Sequence, residues 1–456
     1  MSSYRASIRK ALPILLMLAT LVSVRVLTLM FMRAHLNDPG WFQTGSYAKF
    51  DRQASDILDG RQRIFLIDDP ARTDLAQYPP GFPAMVAAIY GVTGERSVYV
   101  VQMVQWSIDL LLSLVLIVGI TVTAFGRRAG IVAGFLVALS PLFAMYAAYP
   151  SADTPAMWFV LGGNWLLLLA AKRNSVWLAL GAGLLLGIAC WIRVHPLYLA
   201  LGWAIVLLLV ANAPWRRRLA MGGAALFATV LVIAPIVVRN YLTFPDFTPT
   251  GGTIGVNLWE GLGETELGRR HGFRFGDDKL LEHERVKMGW PADAHFDLQW
   301  PDGIRRDKER TRESLAFISQ HPLWYAGVML GRMWGMLKVA GDPVPYCGIS
   351  GINVTSRKCL SPAWQGSVVA FGVNVLGMIQ SVTRYLFLPL AAFGIYIAVR
   401  SERATLIAAA VFLVTIVYYL VPGSAAHTEI RYVLPMHGLL TVFAAAAIDW
   451  IVEFLS

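Results

Sequence analysis

The sequence predicts an all-α polytopic membrane protein, and three observations lead to this prediction. Hydrophobic residues make up 56% of the 456 residues and charged residues only 15%, against roughly 45–50% and 25% in soluble domains. Apolar runs of about 20 residues, long enough to cross a bilayer as helices, recur along the whole chain. Short clusters of Lys and Arg separate many of these runs, which is typical of the cytoplasmic connections of membrane proteins.

About ten spans are predicted within a single membrane domain, residues 1–456. They lie near residues 12–33, 97–125, 129–149, 155–171, 175–192, 196–214, 219–238, 374–399, 404–421 and 433–454. The first run follows Arg5 and resembles a secretory signal in its basic start. It continues to Met32 without a small-residue cleavage site, and further spans follow, so it is predicted to be a transmembrane helix.

The basic clusters predict the orientation of the spans. With ten spans they all fall on the side of the N-terminus, which positive-inside bias makes cytoplasmic; they are Arg127-Arg128, Lys172-Arg173, Arg216-Arg217-Arg218 and Arg400 with Arg403. The connections 34–96 and 239–373 are then expected on the outer, periplasmic face of a bacterial inner membrane. These clusters explain the formal net charge of +10. Nucleic-acid binding is not predicted, because the sequence lacks a basic helix with interleaved aromatic residues.

The segment 323–340 has two interpretations. It is rich in Trp, Met and Leu, and as an additional span it would invert everything that follows it. Arg332 and Lys338 interrupt the segment, which favours an amphipathic helix on the membrane surface. Cys347 and Cys359 then lie in the outer compartment, where we expect them to form a disulfide.

Carboxylates are concentrated in the first outer loop, residues 34–96. This loop carries Asp38, Asp51, Asp56, Asp59, Asp68, Asp69 and Asp74, followed by the segment Tyr78–Pro83. Transfer of a group to a hydroxyl needs a carboxylate that takes the hydroxyl proton, although each aspartate could equally be a solvated loop residue or a helix cap. Asp153, in the turn before Pro155, is either the N-cap of the next helix or a carboxylate that faces a ligand entering from the lipid, and the two roles are compatible.

Cations lie at the outer ends of several predicted spans, namely Arg193 with His195, Arg239 with Asn240, and His427 with Arg431. Arginine side chains bind phosphate groups bidentately, whereas the alternative is that they reach to lipid headgroups. The loop after Arg239 contains Thr250–Gly252 and residues 255–261. Its Asn257, Trp259 and Glu260 suit sugar stacking and hydrogen bonding, while its glycines equally suit turns.

The order of these pieces resembles the membrane glycosyltransferases of the GT-C fold, specifically bacterial relatives of the dolichyl-phosphate-mannose protein mannosyltransferases and of the aminoarabinose transferase of lipid A. The resemblance covers nearly the whole chain and implies a GT-C-like bundle with large outer loops. Its matching pieces are the acidic first loop, YPPGFP at 78–83, the Asp153 turn, GIACWIRVHP at 187–196, Arg239-Asn240-Tyr241, NLWEG at 257–261 and Arg431-Tyr432.

The resemblance implies an inverting enzyme that moves a hexosyl or pentosyl group from a polyprenyl-phosphate donor to a lipid, glycan or protein acceptor. It also implies that an aspartate of the first loop is the catalytic base. Aligning residues 54–60 on the family helix puts Ser46 at the usual aspartate position, so Asp38, Asp51 and Asp69 are the candidates. Asp38 is placed first because it follows the first span closely and precedes a Pro-Gly turn.

The resemblance also implies arginines on the donor phosphate, and the remaining roles come from the residues themselves. Asp153 is expected to orient the acceptor or to help hold a divalent metal ion, whose participation stays open, and no cofactor is certain. The expected donor-phosphate ligands are Arg193, Arg239, His427 and Arg431, and the expected substrate-binding residues are Tyr78, Asn257, Trp259 and Glu260. The alternative function is a multi-span transporter or a flippase for lipid-linked sugars, although few ionisable residues besides Arg25 and Asp109 lie inside the spans.

Overall fold

The computed structural model describes residues 2–36, 45–246, 248–249, 251, 253–291, 293, 296–337, 366–427 and 429–456, and all regular secondary structure within them is helical. The predicted all-α membrane fold is therefore confirmed. The helices are α1 (Ser2–His35), α2 (Gly45–Leu58), α3 (Asp74–Gln77), α4 (Gly81–Thr93), α5 (Val98–Phe125), α6 (Arg127–Leu139), α7 (Pro141–Ala148), α8 (Asp153–Arg173), α9 (Val176–Ile192), α10 (Leu199–Val210), α11 (Trp215–Thr243), α12 (Ile254–Gly263), α13 (Glu266–Arg270), α14 (Asp277–Met288), α15 (Gly303–Gln320), α16 (Pro322–Leu337), α17 (Val368–Arg400), α18 (Arg403–Leu420) and α19 (Leu434–Leu455).

The predicted number of about ten spans is not confirmed. Within the described residues, six helices are long and apolar enough to cross a membrane, and a seventh span is counted if the bent pair α6 and α7 forms one. The six are α1, α5, α8, α11, α18 and α19. The apolar helices α9 and α10 contain 17 and 12 residues, which correspond to about 26 and 18 Å against a hydrocarbon core of roughly 30 Å.

The connections between the long helices collect at two ends of the bundle. At one end of the bundle α5 meets α6, α8 meets α9, and α17 meets α18; we call it the basic end. There Arg128 lies 3.4 Å from the Asp449 carboxylate, and Lys172 donates a hydrogen bond of 2.6 Å to the Thr123 carbonyl. We call the other one the loop end. It carries α2–α4, α12–α16 and the short connections after α7, α9 and α18, so the large predicted loops share one end.

A buried ion pair joins the helices deep in the bundle. Arg25 of α1 lies 2.5 Å from a carboxylate oxygen of Asp109 in α5 and donates a second hydrogen bond to Ser113. The indole of Trp158 in α8 donates to the other Asp109 oxygen at 2.6 Å. Arg25 and Asp109, which the sequence places inside spans, therefore neutralise each other, and with Trp158 they tie three helices together.

The bend between α6 and α7 brings a short helix to the loop end. Pro141 cannot continue the hydrogen bonding of α6 and starts a new helix, while the Ser140 hydroxyl accepts the Phe143 amide as its N-cap. The two helices meet at an angle of 58°. As a result, α7 ends among buried side chains and leads into α8 through a tight turn.

Gln105 of α5 holds this turn in place. Its amide nitrogen donates to backbone carbonyls of the turn and its oxygen accepts one backbone amide; the partners are Tyr146 at 3.1 Å, Ala147 at 3.2 Å, Tyr149 at 2.6 Å and Ser151 at 3.2 Å. Buried backbone groups in a turn otherwise lack partners. Gln105 therefore fixes where α8 begins, which is at Asp153.

The helices α12–α15 form a small folded unit at the loop end. Glu284 of α14 is buried between Arg306 and Arg310 of α15, with closest contacts of 2.5 and 2.6 Å. Asp307 accepts the backbone amides of Gly255 and Val256 at 3.2 Å each, and so pins the first turn of α12 to α15. This unit sets the position of α12.

The helix α16 corresponds to most of the segment 323–340, which the sequence predicts to be an amphipathic helix. Its Arg332 donates to the carbonyls of Ser424, at 3.2 Å, and of Gly261, so it packs on the loop end of the bundle. Leu323 and Leu330 are exposed on it. Its position at the membrane surface stays a prediction. Lys338, Cys347 and Cys359 lie outside the described residues, and so does the predicted disulfide.

Candidate active site

A polar cavity of about 410 Å³ lies at the loop end. Its walls come from segments that are far apart in the sequence: the segment after α3, the connection between α9 and α10, α12, the start of α14, and the connection between α18 and α19. Among its lining residues are Tyr78, Arg193, His195, Asn257, Glu260, Asp277, His427, Glu429, Arg431 and Tyr432.

A second cavity of about 270 Å³ adjoins the polar one. The two share His195, Ile254, Asn257, His427 and Tyr432, and the second continues between aromatic and aliphatic side chains of α18, the following connection and α12, namely Tyr418, Tyr419, Pro422, Leu258 and Val433. A charged compartment therefore passes directly into an apolar one.

Asp153 lies behind the wall of the polar cavity and binds two arginines. One of its carboxylate oxygens accepts a hydrogen bond of 2.8 Å from Arg193 and lies 3.8 Å from Nε of Arg431. Only 2% of the Asp153 side chain is exposed, and the two cations compensate the cost of burying its charge. The helix α8 begins at Asp153 without a side-chain cap, so this carboxylate binds the arginines and does not act as an N-cap.

Tyr432 lies between the two arginines. Its ring centroid is 5.5 Å from the Arg193 guanidinium carbon and 5.2 Å from that of Arg431, both within cation–π range, and the His195 ring packs on it at 4.7 Å. Burial, followed by the charge of Arg193, lowers the pKa of His195 to about 4. His195 is therefore neutral beside this cation pair.

Both arginines retain unused hydrogen-bond donors. In the described part of the chain, the Nε–H groups of Arg193 and Arg431 are buried and have no hydrogen-bond partner. A buried donor without a partner costs roughly 1–3 kcal/mol. The pair therefore has donor capacity that the protein itself does not satisfy.

His427 lies between two glutamates beside the arginine pair. Its Nδ1 is 2.5 Å from Glu264 and its Nε2 is 3.7 Å from Glu429, which in turn accepts a hydrogen bond of 2.7 Å from Arg431. Burial lowers the pKa of His427, but the hydrogen bonds and charges of the two glutamates outweigh burial and raise it to about 10. Burial acts to raise the pKa of Glu429, but the charges of Arg431 and His427 hold it at about 2.

These ion pairs form one connected network with four cations and three carboxylates, so its net charge is +1. Their cations are Arg193, Arg332, Arg431 and protonated His427, and their carboxylates are Asp153, Glu264 and Glu429. A partly buried excess charge favours an anionic partner. The arrangement therefore suits binding of an anion at this wall of the cavity.

Glu260 and Asp277 form a second charged feature of the same cavity. Glu260 is 8% exposed, and its side chain is within hydrogen-bonding reach of Asp277. Burial and the charge of Asp277 raise the pKa of Glu260 to about 8, while the charge of His427 acts in the opposite direction. A carboxyl group with this pKa can accept or release a proton near neutral pH.

The predicted site residues divide into two groups. The structure brings Asp153, Arg193, His427, Arg431, Tyr78, Asn257 and Glu260 to the polar cavity or directly behind its wall. It does not bring Arg239, Trp259, Asp51 or Asp69 to that cavity. Asp38, the first candidate for the base, lies outside the described residues.

Arg239 ties the first loop to α11. Its guanidinium donates to the carbonyls of Ile64 at 3.1 Å and Leu75 at 3.3 Å and to the side chain of Asn240. Trp259 is buried at the centre of the α12–α15 unit, where its ring packs on Phe273 at 4.5 Å. Both side chains therefore support walls of the site from outside the cavity.

The described first-loop aspartates have local partners. Asp51 accepts the Tyr90 hydroxyl. Asp69 is exposed and accepts the amide of Ala71 at 2.8 Å. The others pair with arginines of the same loop or its end, as Asp59 does with Arg96 at 2.5 Å.

Several residues of the site were missed in the sequence. Glu429 stands between His427 and Arg431, so three ionisable residues fall within five positions just before and inside the 3-10 turn Ile430–Val433. That spacing could have identified it. Glu264 and Asp277 carry no comparable local signal. For the metal ion that the sequence left open, the described residues contain no group of three or more His, Cys, Asp or Glu side chains that could hold one.

Comparisons with known proteins agree with the sequence resemblance. Residues 77–239 match the family model of dolichyl-phosphate-mannose-protein mannosyltransferases, a stretch that includes Tyr78, Asp153 and Arg193. Curated proteins give no significant match. The resemblance to GT-C glycosyltransferases is confirmed.

Solved structures that are similar to this chain include oligosaccharyltransferases of Archaeoglobus fulgidus. One is tethered to an acceptor peptide containing the NVT sequon and matches with a TM-score of 0.50 and 14% identity over 99% of this chain and 51% of its own length. Another, AglB with an inhibitory peptide and a dolichol-phosphate, matches with a TM-score of 0.49 and 14% identity over 96% and 50%. The chain thus spans about half the length of these structures, and the first match supports the GT-C-like fold.

The raised pKa of His427 predicts a pH-dependent stability. A histidine whose pKa rises from 6.5 to about 10 on folding stabilises the fold fully below pH 6.5, and this contribution is lost as the pH rises towards 10. We therefore expect the melting temperature of the parent to exceed that of His427→Gln most at pH 6 and to approach it by pH 10. Thermal unfolding in detergent across this range measures the difference, with His283→Gln as control. A constant difference between the parent and His427→Gln would contradict the ion pairs of His427.

Proposed function

We propose that the chain is an inverting glycosyltransferase that moves a sugar from a polyprenyl-phosphate donor to a hydroxyl of a lipid, glycan or protein acceptor, on the outer face of a bacterial inner membrane. The observation that carries this proposal is the pair Arg193 and Arg431, held on the single carboxylate of Asp153 at the wall of a polar cavity. The family that matches residues 77–239 is named for transfer from dolichyl-phosphate mannose, which is a polyprenyl-phosphate sugar.

The arginine pair suits the phosphate of such a donor. Guanidinium groups present several N–H donors in a fixed plane and bind phosphate oxygens with charge-assisted hydrogen bonds. Asp153 orients both groups, and protonated His427 adds a third positive charge beside them. When the bond between sugar and phosphate breaks, negative charge grows on the phosphate oxygen, and these cations stabilise it.

The adjoining cavities suit the two chemically different parts of the donor. The apolar cavity between Tyr418, Tyr419 and Val433 suits the first isoprene units of the lipid. The polar cavity of about 410 Å³ lies within the roughly 300–1,000 Å³ of small-molecule sites. Asn257 and Tyr78 offer amide and hydroxyl groups to the sugar.

The alternative of a transporter or lipid-linked sugar flippase has less support. Such proteins use ionisable groups near the middle of their spans to guide substrates. Here Arg25 and Asp109 neutralise each other, and the excess charge is at the loop end. Transport is therefore the alternative function, and an assay with lipid-linked sugars distinguishes it from sugar transfer.

The first prediction is consumption of a lipid-linked sugar. Purified protein is incubated with a panel of radiolabelled undecaprenyl-phosphate sugars, with and without an envelope lipid fraction as acceptor. We expect at least one donor to release or transfer its sugar, and chromatography of the labelled products measures this. If folded protein leaves every donor intact but moves one across the bilayer of proteoliposomes, the chain is a flippase and the enzyme proposal fails.

The second prediction concerns the phosphate. A charge-assisted hydrogen bond contributes roughly 1.5–3 kcal/mol, so Arg193→Ala or Arg431→Ala should weaken binding of undecaprenyl phosphate by about 10- to 150-fold. Lysine at either position should restore binding only in part because it lacks the planar fork. Binding is measured by titration of the detergent-solubilised protein.

Two controls accompany this titration. Arg217→Ala at the basic end should bind like the parent. Arg239→Ala should lower the melting temperature without weakening binding by the folded fraction, because the Arg239 side chain donates to backbone carbonyls. If Arg193→Ala and Arg431→Ala also bind like the parent, these two arginines contact lipid headgroups or the protein alone.

The third prediction concerns orientation. In a variant without native cysteines, Ser319→Cys on α15 should react with a membrane-impermeant maleimide in intact cells. Ser401→Cys, between α17 and α18 at the basic end, should react only after permeabilisation. Both serines are exposed, so the pair is matched in chemistry and accessibility. The opposite labelling pattern would put the cavity on the cytoplasmic face and exclude a periplasmic reaction.

A further inference from the structure

The polar cavity has two differently charged walls. The arginine wall, Arg193 and Arg431, comes from the connections after α9 and before α19, and the carboxyl wall, Glu260 and Asp277, comes from α12 and α14. His427 is near both, since it lies 3.7 Å from Glu429 and its charge acts on Glu260. A phosphate fits the first wall. The second has no cation bound directly to it, since no Lys or Arg in the described part of the chain forms an ion pair with Glu260 or Asp277.

Glu260 is held firmly at this wall. Its helix α12 contacts the connection before α19 so closely that a methyl group on Gly261 would lie 2.7 Å from the His427 amide nitrogen. The His427 amide also donates to the Asn257 carbonyl at 2.8 Å, and Asp307 pins the first turn of α12. The Glu260 carboxyl therefore has a fixed place in the cavity.

Inversion at the anomeric carbon sets a geometric requirement. The acceptor oxygen must approach from the side opposite to the departing phosphate, so its base must lie across the cavity from the phosphate-binding cations. Among the described residues, the carboxyl groups that line the cavity are Glu260, Asp277 and Glu429. Glu429 is bound to Arg431 and is therefore on the phosphate side.

We propose that Glu260 is the general base of the sugar transfer and that Asp277 is a positioning residue for it. This inference rests on the proposed function. The acceptor O–H proton passes to the Glu260 carboxylate as the acceptor oxygen bonds to the anomeric carbon. The bond from that carbon to the phosphate oxygen breaks, its electron pair stays on the phosphate, and Glu260 then returns the proton to solvent.

The surroundings of Glu260 support this role. Ionisable groups contact α12 from the described elements around it. They include Asp277 and His283 of α14, Asp307 and Arg310 of α15, Arg332 of α16, His427 before α19, and Glu264, the C-cap of α12 itself. Burial and Asp277 together raise the pKa of Glu260 to about 8, which makes its carboxylate a stronger base than an ordinary glutamate. Removing the charge of Asp277 should therefore lower this pKa.

The test uses pH profiles of the full-length protein with a donor that the panel identifies. The parental transfer rate should rise with pH about a midpoint near 8, as Glu260 ionises. Glu260→Gln should lose about 10²–10⁴-fold in rate, with undecaprenyl-phosphate binding and melting temperature close to those of the parent. Asp277→Asn should keep part of the rate and shift the midpoint to lower pH.

Asp278→Asn is the matched control, because Asp278 is the neighbour of Asp277, is exposed like Asp277, and pairs with Lys279 without lining the cavity; it should leave the rate and the midpoint unchanged. Parental activity in Glu260→Gln overturns the proposal, and so does an unshifted midpoint in Asp277→Asn. Loss of transfer in Asp38→Asn with activity retained in Glu260→Gln makes the first-loop aspartate the base. If the parent itself transfers no sugar, the proposed function fails instead.

Discussion

The site depends on one buried carboxylate, that of Asp153, which binds Arg193 and lies beside Arg431. A buried carboxylate is costly unless cations and hydrogen bonds compensate it, and two buried guanidinium groups repel each other without it. The start of α8, the connection after α9 and the connection before α19 therefore have to meet at this point. Tyr432 fills the space between the two guanidinium groups. The same requirement that brings three distant segments together also creates a cationic wall for a phosphate.

Asp153 can hold this position because polar side chains of α5 hold the turn before it. Pro141 ends one helix and begins another, and the backbone carbonyls that the following turn leaves unpaired accept hydrogen bonds from Gln105. Such bonds are favourable because the turn is buried and its backbone groups would otherwise lack partners. The bend of the chain thus becomes a fixed feature of the structure, and the distance from Asp153 to the connection after α9 is set by packing rather than by a mobile loop.

The wall that carries Glu260 is built from a different part of the chain. The helix α12 belongs to the unit α12–α15, whose own core contains an ion-paired Glu284, and it is seated on the bundle through Gly261 and the His427 backbone. His427 therefore contacts both walls, since its ring lies near Glu429 and its amide is bonded to α12. This shared residue couples the position of the carboxyl pair to that of the arginine pair.

The sequence by itself determined the all-α membrane class, because hydropathy is a local property of a chain. It also predicted the grouping of large loops at one end and named Asp153, Arg193, His427 and Arg431 as candidates, because the spacing of charges is local as well. Only the tertiary structure decided which of these residues meet. It turned Arg239 towards carbonyls of the first loop, buried Trp259 in the α12–α15 unit, and added Asp277 and Glu264, since such contacts join residues far apart in sequence. Within the described residues it also showed where an apolar run bends, as at the break between α6 and α7, which hydropathy does not reveal.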